Sequence, residues 1–157
     1  MTRLYGRAPR GKRALGSAPQ HYGQHVTILG ALSYTGLEAV MTVEGATDAD
    51  VCRACVREVL CPTLREGAIV IADNRSAHQA AGVQEAIAAQ GARRLYLPPY
   101  SPDRNPIERC WAKSKTCLRA AKARTRGALD EAVTPALATV TGADARAWFA
   151  HGGYVLH

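Results

Sequence analysis

The chain has 157 residues, 47% of them apolar, and carries a formal charge of +7 from 20 basic and 13 acidic side chains. That length suits one domain with a real core, and no run of about 18 apolar residues is present to span a membrane. The basic start, Met1 to Arg7, leads into no apolar segment, so it does not read as a secretory signal. The expectation is a cytoplasmic protein whose five cysteines are reduced thiols.

Residues 1–25 are rich in Gly, Pro, Arg and His without periodicity, and read as a basic arm or loop ahead of a domain over 26–157. Arg3, Arg7, Arg10, Lys12 and Arg13 fall in its first half with no acid among them. The β-branched, apolar stretches His25–Ser33 and Gly36–Val43, joined by Tyr34-Thr35, predict a hairpin. Thr47 with Asp50 three residues on predicts a helix start. Val51, Cys55 and Val59, and likewise Cys52, Val56 and Leu60, then recur at helical spacing until Pro62 ends the pattern. Ala68 to Ala72 is a short apolar run, as expected of a strand buried on both faces, and it stops at Asp73-Asn74. A helix over roughly 77–90 follows, closed by Gly91. Arg93 to Leu97 is another strand, cut off by Pro98-Pro99. Asn105 as cap and Pro106 at the first position begin a helix reaching about Ala123. Two helical stretches near 127–140 and 143–150 finish the chain. Hairpin, helix, strand, helix, strand, helix is the order of an α/β domain with a mixed sheet.

A second acid-free basic run lies between Glu108 and Asp130: Arg109, Lys113, Lys115, Arg119, Lys122, Arg124 and Arg126. Nucleic acid would neutralise such a cluster, and a solvated basic face accounts for it equally well. Asp73 ends a strand, where open α/β sheets build their sites. Glu108 falls in the first turn of a helix, after a Pro-rich loop that can return it to the sheet edge, with 34 residues between the two acids. Separated Asp and Glu suit hard divalent cations. Two such ions about 4 Å apart activate a water or 3′-hydroxyl and stabilise the leaving oxygen of a phosphodiester. Taken alone, either acid also reads as a helix cap or a surface charge. Cys52, Cys55 and Cys61 lack a second Cys or His pair at ligand spacing, which argues against zinc. Cys110 and Cys117 read as small core residues, and Trp111 as core through a stripe with Ile107 and Leu118.

The wording around the two acids is more specific than their spacing. Ile69-Val70-Ile71-Ala72-Asp73-Asn74-Arg75-Ser76-Ala77-His78 resembles the second-aspartate motif of bacterial insertion-sequence transposases of the Tc/mariner superfamily. Leu97-Pro98-Pro99-Tyr100-Ser101-Pro102-Asp103-Arg104-Asn105-Pro106-Ile107-Glu108 resembles that family's third-carboxylate motif, and the intervening gap is similar. Tyr5 to Gly11, Leu64 to Gly67 and Gly153-Tyr154 add to the likeness.

The resemblance implies an RNase H-like mixed sheet flanked by helices, and a DDE-type DNA transposase with two Mg²⁺ or Mn²⁺ ions. Its partners would be transposon ends and target DNA, its place the nucleoid, and its intact form a homo-oligomer. Asp73 and Glu108 would be the second and third metal ligands. Asn74 and His78 belong to the motif, either orienting a ligand or water or serving as structural hydrogen-bonders. Lys115, seven residues after Glu108 and on the same helix face, is a DNA contact or a solvated lysine. Lys113, Arg119, Arg10 and Arg13 are further candidate DNA contacts.

One part of the pattern has no counterpart. The family's first aspartate normally lies in an Asp-Glu pair ending a strand shortly before the segment matching Tyr5–Gly11. Only four residues precede Tyr5 here, and none is acidic. Asp48 and Asp50 read as helix-capping residues instead. The expectation is therefore a partial domain, missing its first and central strand and inactive in isolation. It would be completed by an upstream-encoded N-terminal half; the alternative is a non-enzymatic remnant or DNA-binding fragment.

Overall fold

Tyr34 and Thr35 reverse the chain between strands β1 (Val26–Ser33) and β2 (Gly36–Glu44). The antiparallel register runs from Val26 opposite Glu44 to Ser33 opposite Gly36, with a bulge at Ala31/Leu32. The computed structural model describes residues 5–15, 25–74 and 76–155, so Arg3, His21, Arg75 and His157 lie outside the described residues. Of the expected basic arm, residues 5–15 are exposed and irregular apart from a turn closed by Lys12 N–H on the Pro9 carbonyl at 3.0 Å.

Helix α1 (Ala49–Cys55) starts one residue later than the Thr47 reading. Its cap is Asp48, whose carboxylate accepts from the Val51 N–H at 2.8 Å, and a short aspartate in extended conformation does this well. The helical pattern continues as a π turn over Val56–Leu60 and a 3₁₀ turn over Cys61–Thr63 that holds Pro62.

Strands β3 (Ile69–Ala72) and β4 (Arg93–Tyr96) pair in parallel, Ile69 with Arg93 through Ala72 with Tyr96. The crossover between them holds less helix than 77–90. A 3₁₀ turn covers Ser76–Gln79, and helix α2 spans Val83–Ala88 alone. Gly82 is the reason: it sits at φ 87, a left-handed conformation that an α-helix cannot pass through. Gly91 closes α2 as its composition predicts, at φ 69 and with its N–H on the Ala88 carbonyl. Nor is β3 buried on both faces. Val70 packs with Val83, Ile87 and Ala92, whereas Ile69 on the other face is 48% exposed and Leu95 beside it 55%.

Helices α3 (Pro106–Ala121), α4 (Arg126–Ala138) and α5 (Gly142–His151) form the rest. Pro106, Cys110, Ser114 and Leu118 are the buried stripe of α3, at i, i+4, i+8 and i+12. Leu118 joins Val133 and Ala136 of α4 in a core that also takes Ile28 from β1. Lys113 of α3 donates to Asp144 of α5 at 2.6 Å, and Arg126 ties α4 to Glu44 of β2 while also binding Asp130.

Two small cores result, one under the β3–β4 pair and one between α3 and α4. The described strands form two separate two-stranded sheets rather than one mixed sheet. Among the described residues, each pair therefore keeps an edge without a ladder partner, on β1 and on β3.

Candidate active site

A cleft of about 930 Å³ opens between the two sheets, and every residue over 27–35 and 63–73 lines it. A sheet face would present alternate residues, so an unbroken run on both walls means that strand edges face the cleft. The outer edges of β1 and β3 are already paired, to β2 and β4. The walls are thus the two open edges, with Val56, Leu60, Val83 and Ile87 making the floor apolar.

Asp73 and Glu108 both line this cleft. The first stands just beyond β3, and the second in the first turn of α3, which Pro106 opens. Trp111 and Lys115 line the same cleft, so Glu108, Trp111 and Lys115 form one face at i, i+3 and i+7, turned from the buried stripe. Trp111 consequently departs from the core position read from the sequence. It is half-buried and lies over Gly30, where a Cβ would come within 3.0 Å of its ring.

Asp73 does not stand alone. The Nδ1–H of His78 donates to its carboxylate at 2.6 Å, and the Asp73 carbonyl lies 3.3 Å from the same nitrogen. Both side chains are 31% exposed, open enough to meet a ligand. Asn74 points elsewhere: it is exposed and its side-chain oxygen accepts from Gln79. At the hairpin end of the cleft, the hydroxyls of Ser33 and Thr35 occupy the Glu38 carboxylate and hold its pKa below the usual range. Among the described residues, no three His, Cys, Asp or Glu side chains converge as a metal cluster would require. Asp48 caps α1 as its helix-start position implies, whereas Asp50 departs from the capping role read from the sequence and pairs with Arg53 instead.

The profile of the DDE superfamily endonucleases matches residues 1–130. The chain belongs to that family. In fold it is similar to the Mos1 strand transfer complex, with a TM-score of 0.71 over 100% of this chain at 14% identity. It is similar also to the Mos1 mariner paired end complex with Mn, with a TM-score of 0.67 over 98% of the chain at 13% identity. This DDE chain spans about half of those structures, 51% and 47% of their length. No curated protein matches it in sequence. The likeness in fold carries the RNase H-like α/β class, even though the described strands make two short sheets.

The remaining predicted residues of this DDE endonuclease chain are distributed unevenly. Arg10 and Arg13 are exposed on the arm and Lys115 on the cleft, while Arg119 is half-buried toward the end of α3. Lys113 is outside the cleft lining and engaged by Asp144. Cys52, Cys55, Cys61 and Cys110 are buried and Cys117 half-buried, all free thiols; burial pushes Cys110 up to about 11. Among the described residues, no helix is long and apolar enough to cross a membrane. Sequence reading passed over Arg94, which also lines the cleft. Its signal was available: it alternates onto the same face of β4 as buried Ala92, where a cation needs a reason to be.

Proposed function

We propose that this chain is the part of a DNA transposase catalytic domain that supplies the second and third carboxylates. The observation that supports the reading is that Asp73 and Glu108 line one and the same cleft, walled by two open strand edges. Both offer hard oxygen donors, and the half-open Asp73 carboxylate suits a divalent cation such as Mg²⁺ or Mn²⁺. Two carboxylates fall short of a two-ion cluster. We assign the missing donor to an extended segment, such as an N-terminal half encoded upstream, lying between β1 and β3. Such a strand would satisfy both edges and end beside Asp73. Held by Asp73 and Glu108 together with the missing donor, divalent metal would supply activation of the attacking oxygen and stabilisation of the leaving one. The chain's own residues hold and place: Asp73 and Glu108 anchor the site, and His78 fixes the Asp73 carboxylate. Lys115 meets the phosphodiester beside Glu108, and Arg119, Arg10 and Arg13 follow the backbone of transposon-end or target DNA.

Mn²⁺ titration read by electron paramagnetic resonance tests the donor assignment. Wild type is expected to bind Mn²⁺ and to lose that binding with Asp73→Asn or Glu108→Gln. Unaltered binding in the double variant would overturn the assignment.

A further inference from the structure

The Asp73 carboxylate is placed through a closed circuit of contacts that leads to β4. A carboxylate only accepts, so the 2.6 Å contact puts the hydrogen on Nδ1 of His78 and fixes that ring's tautomer. The ring can stay there only if the backbone of His78 is held. Its carbonyl has two lone pairs, and both are taken: Arg94 Nη1 donates at 2.9 Å and the Tyr96 hydroxyl at 3.1 Å. Arg94 is itself fixed on two further sides. Its Nη2 donates to Gln84 Oε1 of α2 at 2.8 Å, and its guanidinium lies 4.6 Å from the centre of the Tyr96 ring. Tyr96 stands opposite Ala72 in the β3–β4 ladder, next to Asp73 in sequence, which closes the circuit.

We propose that Arg94, with Tyr96, is a positioning residue that clamps the His78 turn to β4 and thereby sets the orientation of the Asp73 carboxylate. This rests on the reading of Asp73 as a site carboxylate, and it assigns Arg94 a task other than meeting DNA. Only a planar, forked donor reaches the His78 carbonyl and Gln84 together while stacking on a ring. Lysine carries its donors on a single nitrogen and has no planar face to lay on the ring.

The test is a long-range ¹H–¹⁵N spectrum of the histidine imidazoles in the full chain. Wild type is expected to show one Nδ1–H signature that disappears with His78→Gln, which assigns it to His78. Arg94→Met should average that signature between tautomers, and Arg94→Lys should restore part of it. A folded Arg94→Met variant with the wild-type signature overturns the proposal. Should Arg94→Met fail to fold, Tyr96→Phe and Arg94→Lys decide, since each removes only part of the clamp: partial averaging supports it, and an unchanged signature overturns it. Mn²⁺ titration of the same samples keeps the two readings apart. Equal binding by wild type and Asp73→Asn removes the metal reading, while the imidazole signature still decides the clamp. With the metal reading intact, Arg94→Met should weaken Mn²⁺ binding by about tenfold, as loss of an outer-shell partner does.

Discussion

Two lysines two positions apart on α3 have different surroundings. Lys115 is exposed on the cleft about two helical turns on from Glu108, whereas the ammonium of Lys113 is held by Asp144. Duplex DNA binding measured at several salt concentrations should separate them. Lys115→Met is expected to reduce the slope of log K against log salt by about 1, the signature of one lost phosphate contact. Lys113→Met should leave that slope in place and lower the melting temperature instead; equal slopes for wild type and Lys115→Met would remove Lys115 from the DNA face. The Lys113 pair also predicts a pH dependence. Lys113, then the Thr141 hydroxyl and N–H, hold the Asp144 carboxyl well below the usual carboxylate range. A depressed folded pKa stabilises the fold above the unfolded value of about 3.9, and this is lost as pH falls through the lower folded value. The difference in melting temperature between wild type and Asp144→Asn should thus hold steady from pH 7 to about 5 and narrow at lower pH. A gap unchanged in acid would assign the effect to capping geometry rather than charge. None of this was legible in the acid-free run from Arg109 to Arg126, because Asp144 lies 31 residues from Lys113. Asp73 and Glu108, by contrast, stand out in the sequence as candidates because short, specific motifs surround them.

At the scale of elements, the approach of α3 to β1 depends on one missing methyl group. A Cβ on Gly30 would lie 3.0 Å from both the Ala39 carbonyl and the Trp111 ring. The carbonyl belongs to the β1–β2 ladder and the indole is rigid, so neither yields easily. Gly30→Val is expected to destabilise the fold by about 1–3 kcal/mol through overpacking and to shift tryptophan fluorescence as Trp111 is displaced from β1. Chemical denaturation checks the first, and the emission maximum of a Trp148→Phe background the second; unchanged values for both would refute the packing. The hairpin, both parallel strands and all three C-terminal helices were legible from turn residues, caps and periodicity. The stretch 77–90 was not, since its alanines satisfy a helical pattern that Gly82 breaks by adopting φ 87. The exposed face of β3 also escaped prediction: an apolar run shows that a strand can be buried on both sides, and only its neighbours determine whether it is.

For the whole molecule, two half-cores and two short sheets stand on either side of a cleft bounded by strand edges. Protein interiors are close-packed, and open edges invite pairing. Under the proposed function, these two edges are therefore the place where a further strand docks. Motif wording gave the family and the two carboxylates, but the separation of the sheets is a property of tertiary structure that no local pattern encodes. The last prediction follows from donor number: with Asp73 and Glu108 as the two ligands proposed, these 157 residues alone should neither nick nor join DNA, since Mg²⁺ tolerates incomplete coordination poorly. The assay uses DNA carrying candidate transposon ends with Mg²⁺ or Mn²⁺. It compares the chain alone, the chain joined to an N-terminal segment predicted to form a strand ending in an acid pair, and that fusion with Asp73→Asn or Glu108→Gln. Activity only in the unmodified fusion supports completion of the site by a strand between β1 and β3. Activity in the chain alone that vanishes with Glu108→Gln would show that its own residues already complete the metal site. A fusion that binds DNA with a steep salt dependence yet stays inert would favour the DNA-binding fragment over the enzyme.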